Sequence, residues 1–316
     1  MKDRAASIGM FRVDRRGKGF YMLKGLIMSI KPESLLISFV AVSAGTAVAS
    51  LYGSVHWNHY FLTLLGMILM QAGANVLNDY FDDKNGVDTS HVPGSFGTGG
   101  RAIARNLLSP AQVLGVGLLL YAFALPIGIY LTVKVGLSVF ILGLAGFLVG
   151  FFYTGSPIGF KYYAFGEPAV FLVWGPLMVS GAYYVQRGSF SGQPVWVSFP
   201  VGILVALILF ANNIRDLTSD THARVRTIAT MLRKEGAVKL YRALIFSAYG
   251  ITLLLIAAGQ LSLWGLLTLL SLPLALKLIK QMQVAVPPDA DARTAQLNTI
   301  YGLLLVISIV LQRLFS

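Results

Sequence analysis

Nine mostly apolar stretches, each near the length of a membrane-crossing helix, run through this chain at 34–51, 60–77, 111–133, 135–152, 168–186, 195–211, 240–258, 261–278 and 297–314. A helix needs about 20 apolar residues to cross the hydrocarbon core of a bilayer. Within lipid it satisfies its own backbone polar groups, which extended chain cannot do alone. The expected fold is therefore an all-α integral membrane protein of nine transmembrane helices. It would form one domain over residues 23–316, preceded by a basic segment at 1–22. Composition agrees: 56% of the residues are hydrophobic and 12% charged, against about 25% charged in a soluble domain. The absence of cysteine excludes disulfides and thiol chemistry. Ala47-Val48-Ala49 resembles a signal-peptidase site, but the long basic leader argues for a retained helix.

Charge sets the orientation. Lys2, Arg4, Arg12, Arg15, Arg16, Lys18, Lys24 and Lys31 precede the first span. With that end in the cytoplasm and nine crossings, only Lys134, Arg187 and Arg313 of the 25 basic residues lie outside. This is the inside excess of Lys and Arg that orients membrane proteins. The net charge of +12 thus marks a membrane surface rather than a nucleic-acid partner. The long connections face the cytoplasm, so the expected location is the cytoplasmic membrane, multi-pass, with the chemistry on its inner side. Gly143, Gly146 and Gly150 are expected to let helices approach closely.

Two polar segments end apolar runs on that side. One is Asn75-Val-Leu-Asn78-Asp79-Tyr-Phe-Asp82-Asp83, continuing to Asp88; the other is Asn212-Asn213-Ile-Arg215-Asp216-Leu-Thr-Ser-Asp220. Both contain Asn-x3-Asp-x3-Asp, and together they hold six of the 13 acidic residues. At about 100° per residue, Gln71, Asn75, Asn78, Asp79 and Asp82 share one helix face, and Asn212, Asp216 and Asp220 share another. Carboxylates crowded this way repel one another unless a cation lies between them. Charges on a membrane helix must also face a wet cavity with partners. Hard oxygen ligands suit Mg²⁺, which is commonly shared with substrate phosphates. Two such segments on one cavity suggest two ions clamping a diphosphate, with Asp79, Asp82, Asp83, Asp216 and Asp220 as candidate ligands.

Cations beside the acids would stabilise a departing diphosphate. Lys161 and Arg215 are the leading candidates because each lies inside a motif. Arg101, Arg105, Arg224 and Arg226 are weaker, since the inside bias alone accounts for most cytoplasmic bases. Asn75, Asn78, Asp88, Asn212 and Asn213 are candidate substrate contacts. The glycine-rich loop at 94–100 lacks a P-loop pattern, and His56, His59, His91 and His222 are scattered. A competing reading is a cation transporter built on the acidic seam. The acids cluster at helix ends on one side, not at mid-membrane in two inverted halves, which disfavours it.

At these residues the chain resembles the UbiA superfamily of intramembrane prenyltransferases, and within it the MenA branch, the 1,4-dihydroxy-2-naphthoate polyprenyltransferases. Asn78-Asp79-Tyr80-Phe81-Asp82 with Gly86-Val87-Asp88 carries the likeness. So do Tyr153-Thr-Gly through Gly159-Phe160-Lys161-Tyr162 to Gly166-Glu167, Asn212-Asn213-x-Arg215-Asp216-x3-Asp220 with Arg226-Thr227, and Lys31-Pro32. The likeness runs from about Lys31 to the end. Arg224 stands where the family usually has glycine. The family pattern selects Asp82 as the second acidic ligand, whereas spacing symmetry selects Asp83.

The resemblance implies helices around a central cavity, with Mg²⁺ holding a polyprenyl diphosphate. It implies attack by an aromatic acceptor on the allylic carbon, with loss of CO₂ when that acceptor is 1,4-dihydroxy-2-naphthoate, a step in menaquinone biosynthesis. Homogentisate, 4-hydroxybenzoate or a glycerol phosphate are the alternative acceptors. Tyr153 would lie near the developing cation.

Overall fold

The computed structural model describes residues 15–85, 102–155, 159–222 and 225–315. Asp88, Arg101 and Arg224 fall outside these. Among the described residues the fold is helical, with one isolated parallel bridge between Tyr163 and Arg226. The helices are α1 (Arg15–Ile30), α2 (Pro32–Ser50), α3 (Trp57–Lys84), α4 (Pro110–Val135), α5 (Leu137–Phe152), α6 (Gly166–Leu172), α7 (Met178–Arg187), α8 (Gly192–Arg215), α9 (Leu217–His222), α10 (Ile228–Ala257), α11 (Leu272–Val284) and α12 (Ala290–Phe315).

Eight helical segments among the described residues are long and apolar enough to cross a membrane. The apolar helix α5, at 16 residues, is shorter. The protein is thus a multi-pass membrane protein. Helix α1 is continuous across the expected boundary between residues 22 and 23. It meets α2 at Lys31, whose φ of 55° is left-handed, and Pro32 begins the new helix where its missing N–H costs nothing.

Two spans are interrupted. Val173–Leu177 forms a π-helical turn between α6 and α7, with Gly175 at φ −85°, ψ −105° and Pro176 beside it. Such turns arise where the regular hydrogen-bond ladder is broken, as proline does here. A 3₁₀ segment, Leu263–Ser271, leads into α11.

Small residues bring the helices together, though not where the sequence pointed. A methyl group on Gly45 would lie 2.1 Å from the Val179 carbonyl oxygen, so α2 and α7 touch backbone to backbone. Gly175 and Gly202 make a similar crossing, with 3.0 Å from the built Cβ of either to the Cα of the other. By contrast Gly143 has open space, and Gly146 and Gly150 have only ordinary contacts beyond 3.5 Å. Their spacing is regular, but α5 presents that face to few neighbours. The main core lies among α2, α8, α10, α11 and α12, around Tyr241, Leu204, Leu278 and Tyr301.

Polar contacts divide the connections between two ends. At one end, the guanidiniums of Arg187 and Arg313 donate to carbonyls of the α2–α3 turn, at Ser54, Ser50 and Gly53. Gln193 joins Tyr52 to the Gln260 carbonyl there. A methyl on Gly136 would sit 3.1 Å from the Tyr184 hydroxyl, which brings the α4–α5 turn beside the end of α7. The three basic residues that charge counting set apart from all others thus belong to connections at a single end. The acidic segments lie at the opposite end.

Candidate active site

The site is built from the lower turns of α3 and α8, the connection after α5, and the cap formed by α9. Helix α3 carries its polar stripe as expected, but the stripe has two jobs. Its upper part secures the α1–α2 junction. The Gln71 amide donates to the Ser34 carbonyl at 2.8 Å and accepts from the Ser38 hydroxyl. The Asn75 amide donates to the Ile30 carbonyl at 2.8 Å and to the Ser34 hydroxyl at 2.9 Å. At the turn the Ser34 N–H goes to the Lys31 carbonyl, so the Ile30 carbonyl loses its helical donor and takes the Asn75 amide instead. Asn75 is thus hydrogen-bonded to the α1–α2 junction.

Lower down, Asp79 is 3% exposed. Its Oδ2 accepts from the Ser29 hydroxyl at 2.7 Å and from the Ala102 backbone N–H at 3.2 Å. One turn further, Asp82 is held at both oxygens. Lys161 Nζ donates to its Oδ2 at 2.7 Å, and the Tyr162 hydroxyl donates to its Oδ1 at 2.7 Å. The Asn85 amide donates in turn to that hydroxyl at 3.2 Å. Asp83 is half-buried and has no hydrogen-bond or ion-pair partner among the described residues. Asn78 presents a buried Oδ1 with no partner among them.

Lys161 and Tyr162 come from a single 3₁₀ turn, Phe160–Tyr162, entered through Gly159 at φ 57°. The Lys161 N–H donates to the Tyr153 carbonyl at 2.9 Å, closing the connection on the end of α5. The bridge to the second acidic segment follows directly: the Ala164 N–H donates to the Arg226 carbonyl at 2.8 Å, and the Arg226 N–H to the Tyr162 carbonyl at 3.4 Å. Arg226 therefore serves the site through its backbone, while its side chain is exposed. Arg105 is exposed as well.

The second segment is not one helix. Helix α8 ends at Arg215, Asp216 takes φ −91° and ψ 10° as its cap, and the chain restarts as α9. The expected single stripe of Asn212, Asp216 and Asp220 is thus broken after Asp216, although the Asp216 and Asp220 N–H groups still reach back to the carbonyls of Asn212 and Asp216. Arg215 is only 6% exposed at its side chain and is fully engaged. It donates to both oxygens of Asp216 at 2.9 Å, to Asn212 Oδ1 at 2.6 Å and to Asp291 at 2.7 Å. Nothing in the local sequence marked Asp291 as its partner. Asn213 turns the other way and donates to Glu167 Oε1 at 2.9 Å, both being buried.

Electrostatics joins the two segments. Burial pushes the Asp220 carboxyl up, to about 6, and repulsion from Asp216 and from Asp82 adds to it; Lys161 and Arg215 pull it back in part. Asp82, on α3, and Asp220, on α9, therefore lie within each other's electrostatic reach. Burial works against a charged Lys161, but the Asp82 carboxylate, with Tyr153 and Tyr162 beside it, more than offsets this and holds the ammonium above its ordinary range. Burial raises the Tyr153 hydroxyl, with Lys161 opposing and Glu167 and Asp82 reinforcing. Tyr153 therefore lies within the same charge field and stays a neutral ring.

Among the described residues no three acidic or histidine side chains converge closely enough to form a ready-made metal centre. The donor set still suits a hard cation. Its groups are carboxylates plus the unpartnered amide oxygen of Asn78, and the mutual repulsion at Asp220 is the kind that a cation relieves. Such an ion would be held between the two segments rather than by either alone.

Residues 37–303 match the UbiA prenyltransferase family. The chain belongs to that family. It is 32% identical over 285 residues to 1,4-dihydroxy-2-naphthoate octaprenyltransferase of Bacillus subtilis (strain 168), covering 89% of this chain and 90% of that one. It is 30% identical over 289 residues to UbiA prenyltransferase domain-containing protein 1 of Xenopus tropicalis, covering 90% of this chain and 81% of that one. A UbiA homologue from Archaeoglobus fulgidus, solved with GPP and Mg²⁺, superposes with a TM-score of 0.56 at 15% identity, over 90% of this chain and 99% of that chain. The UbiA fold expected from the motifs is therefore the fold present, and the protein is a membrane-embedded prenyltransferase.

Proposed function

We propose that this enzyme transfers a polyprenyl group from a polyprenyl diphosphate to 1,4-dihydroxy-2-naphthoate, with loss of CO₂, as a step of menaquinone biosynthesis. The observation that carries the site is the ion pair of Asp82 with Lys161, which joins α3 to the connection after α5, with Asp220 of the second segment in the same charge field. The acceptor follows from the likeness to the B. subtilis octaprenyltransferase. The likeness to UbiA prenyltransferase domain-containing protein 1 is compatible with it.

Asp79, Asp82, Asp216 and Asp220, with Asn78 Oδ1, would hold Mg²⁺, in the proposal as two ions. Mg²⁺ supplies positive charge against the oxygens of the leaving diphosphate. Lys161 adds a positive charge that would stabilise the departing diphosphate. The allylic C–O bond breaks and its electron pair leaves with the diphosphate. A ring carbon of the acceptor forms the new C–C bond, and the pair released as CO₂ departs restores the aromatic ring. The neutral ring of Tyr153 faces the charge that develops on the allylic carbon. Arg215, bound to Asp216 and Asp291, holds the second segment in place. The proposed setting is the cytoplasmic membrane, with the site on the cytoplasmic side, where the isoprenoid tail exchanges sideways with lipid.

The test is direct. Purified protein is incubated with Mg²⁺, geranylgeranyl diphosphate and a panel of aromatic acceptors, and products are read by mass spectrometry. The expected result is a prenylated, decarboxylated naphthoquinol. Asp82→Ala and Asp216→Ala each abolish it while the protein still inserts and purifies. Full activity in Asp216→Ala removes the second acidic segment from the mechanism, and a prenylated product that keeps its carboxylate replaces the acceptor.

A further inference from the structure

We infer that Tyr162 is a positioning residue for the first acidic segment: its hydroxyl fixes Oδ1 of Asp82 and leaves Oδ2 to exchange Lys161 for a divalent cation. The inference rests on the reading that Asp82 is a metal ligand.

Asp82 has two oxygens and two different donors. Oδ1 accepts from a neutral phenol and Oδ2 from an ammonium, both at 2.7 Å. An incoming dication repels the ammonium and does not repel the phenol. Oδ2 is therefore the oxygen that is vacated. Metal-ligating carboxylates characteristically keep a hydrogen bond on the oxygen that supports them, and that support sets the ligand's orientation.

Tyr162 is built for such a role. Its hydroxyl oxygen lies 2.7 Å from Asp82 Oδ1 and, against a carboxylate oxygen, is the donor of the pair. The Asn85 amide, one turn along α3 from Asp82, donates to the same oxygen at 3.2 Å and so directs the hydroxyl proton toward the carboxylate. The Tyr162 backbone is also pinned, since its carbonyl accepts from the Arg226 N–H at 3.4 Å and the neighbouring Tyr163 is bridged to Arg226. One residue thus ties the orientation of Asp82 on α3 to the cap that carries Asp216 and Asp220. Lys161, adjacent in sequence, is the group released toward the diphosphate.

The experiment measures metal binding directly, by Mn²⁺ titration of the full-length protein in detergent with free Mn²⁺ read by electron paramagnetic resonance. Tyr162→Phe is expected to raise the Mn²⁺ dissociation constant roughly tenfold, the lower end of what losing such support costs. Asn85→Ala keeps the phenol but frees its rotation, and is expected to raise the constant by a smaller factor. In turnover, Tyr162→Phe needs more Mg²⁺ for half-saturation and recovers rate at high Mg²⁺; a purely structural lesion lowers the rate at every Mg²⁺ concentration. Asp82→Asn is the control for the underlying reading. If Asp82→Asn loses Mn²⁺ binding while Tyr162→Phe binds as tightly as the parent or tighter, the positioning role is overturned and the metal reading stands. If Asp82→Asn binds Mn²⁺ like the parent, Asp82 is no ligand, and both fall. Should Tyr162→Phe not fold, unchanged binding in Asn85→Ala overturns the role by itself.

Discussion

Asp220 shows how much a residue's chemistry depends on neighbours that are remote in sequence. An isolated aspartate is ionised well below neutral pH; here burial, Asp216 and Asp82 push it up to about 6. A carboxyl raised in the folded state favours folding when protonated and opposes it when ionised. The cost is absent below the ordinary aspartate range, grows as pH rises toward 6, and is complete above it. Asp220→Asn, which cannot ionise, should therefore raise the melting temperature of metal-free protein at pH 7.5. The gain should fade toward pH 4. Differential scanning fluorimetry in EDTA checks it, and a gain independent of pH contradicts it. The sequence identified Asp220 from its spacing. Spacing and motif also made Asp82, Lys161 and Arg215 candidates. It did not reveal Tyr162 or Asp291, because a tyrosine beside a lysine, or an acid near a helix start, carries no local signal of its partner.

The element that departs most from expectation is α3. Its polar stripe reads as one surface, and the expected substrate contacts included Asn75. In the structure Gln71, Asn75 and Asp79 all bond to α1 or its junction with α2, whereas Asp82 pairs with Lys161 and Tyr162. The turn at Lys31 leaves the Ile30 carbonyl without a helical donor, and Asn75 supplies one. Asn75→Leu strands the Ile30 carbonyl and should cost about 1–3 kcal/mol, the usual penalty for a buried unpaired polar group. Thermal melts monitored by circular dichroism should show the loss, with the Michaelis constant for prenyl diphosphate unchanged. A raised Michaelis constant at parental stability would return Asn75 to the substrate. A similar division occurs at α8, where the chain caps at Asp216 and restarts as α9; the 3.6-residue period continues across the break, so the period alone could not show it.

At the scale of the whole molecule, two ends with different polar chemistry follow from the fold. Arg187 and Arg313 secure the α2–α3 turn at one end, and every candidate ligand lies at the other. The chain has no native cysteine, so single cysteines can report sidedness without interference. Asn85→Cys should resist a membrane-impermeant maleimide applied to intact cells and react after permeabilisation. Gly188→Cys, in the turn after α7, should react in both cases. The reverse pattern would invert the proposed orientation and place the chemistry outside.

The apolar runs, the helix class, the ends at which charge collects and the two acidic segments were all legible in the amino-acid order. Each is a local property: hydropathy over about 20 residues, or spacing over one or two helical turns. Which groups meet was decided by tertiary structure. Lys161 reaches Asp82 across 79 positions and Arg215 reaches Asp291 across 76. Asp220 feels Asp82 although 138 positions separate them, because the fold brings their helix ends into one charge field. Periodicity fixes which way a side chain faces on its own helix; what lies opposite depends on how helices pack, and that is set by close contacts such as Gly45 on Val179, made between segments that share no local pattern.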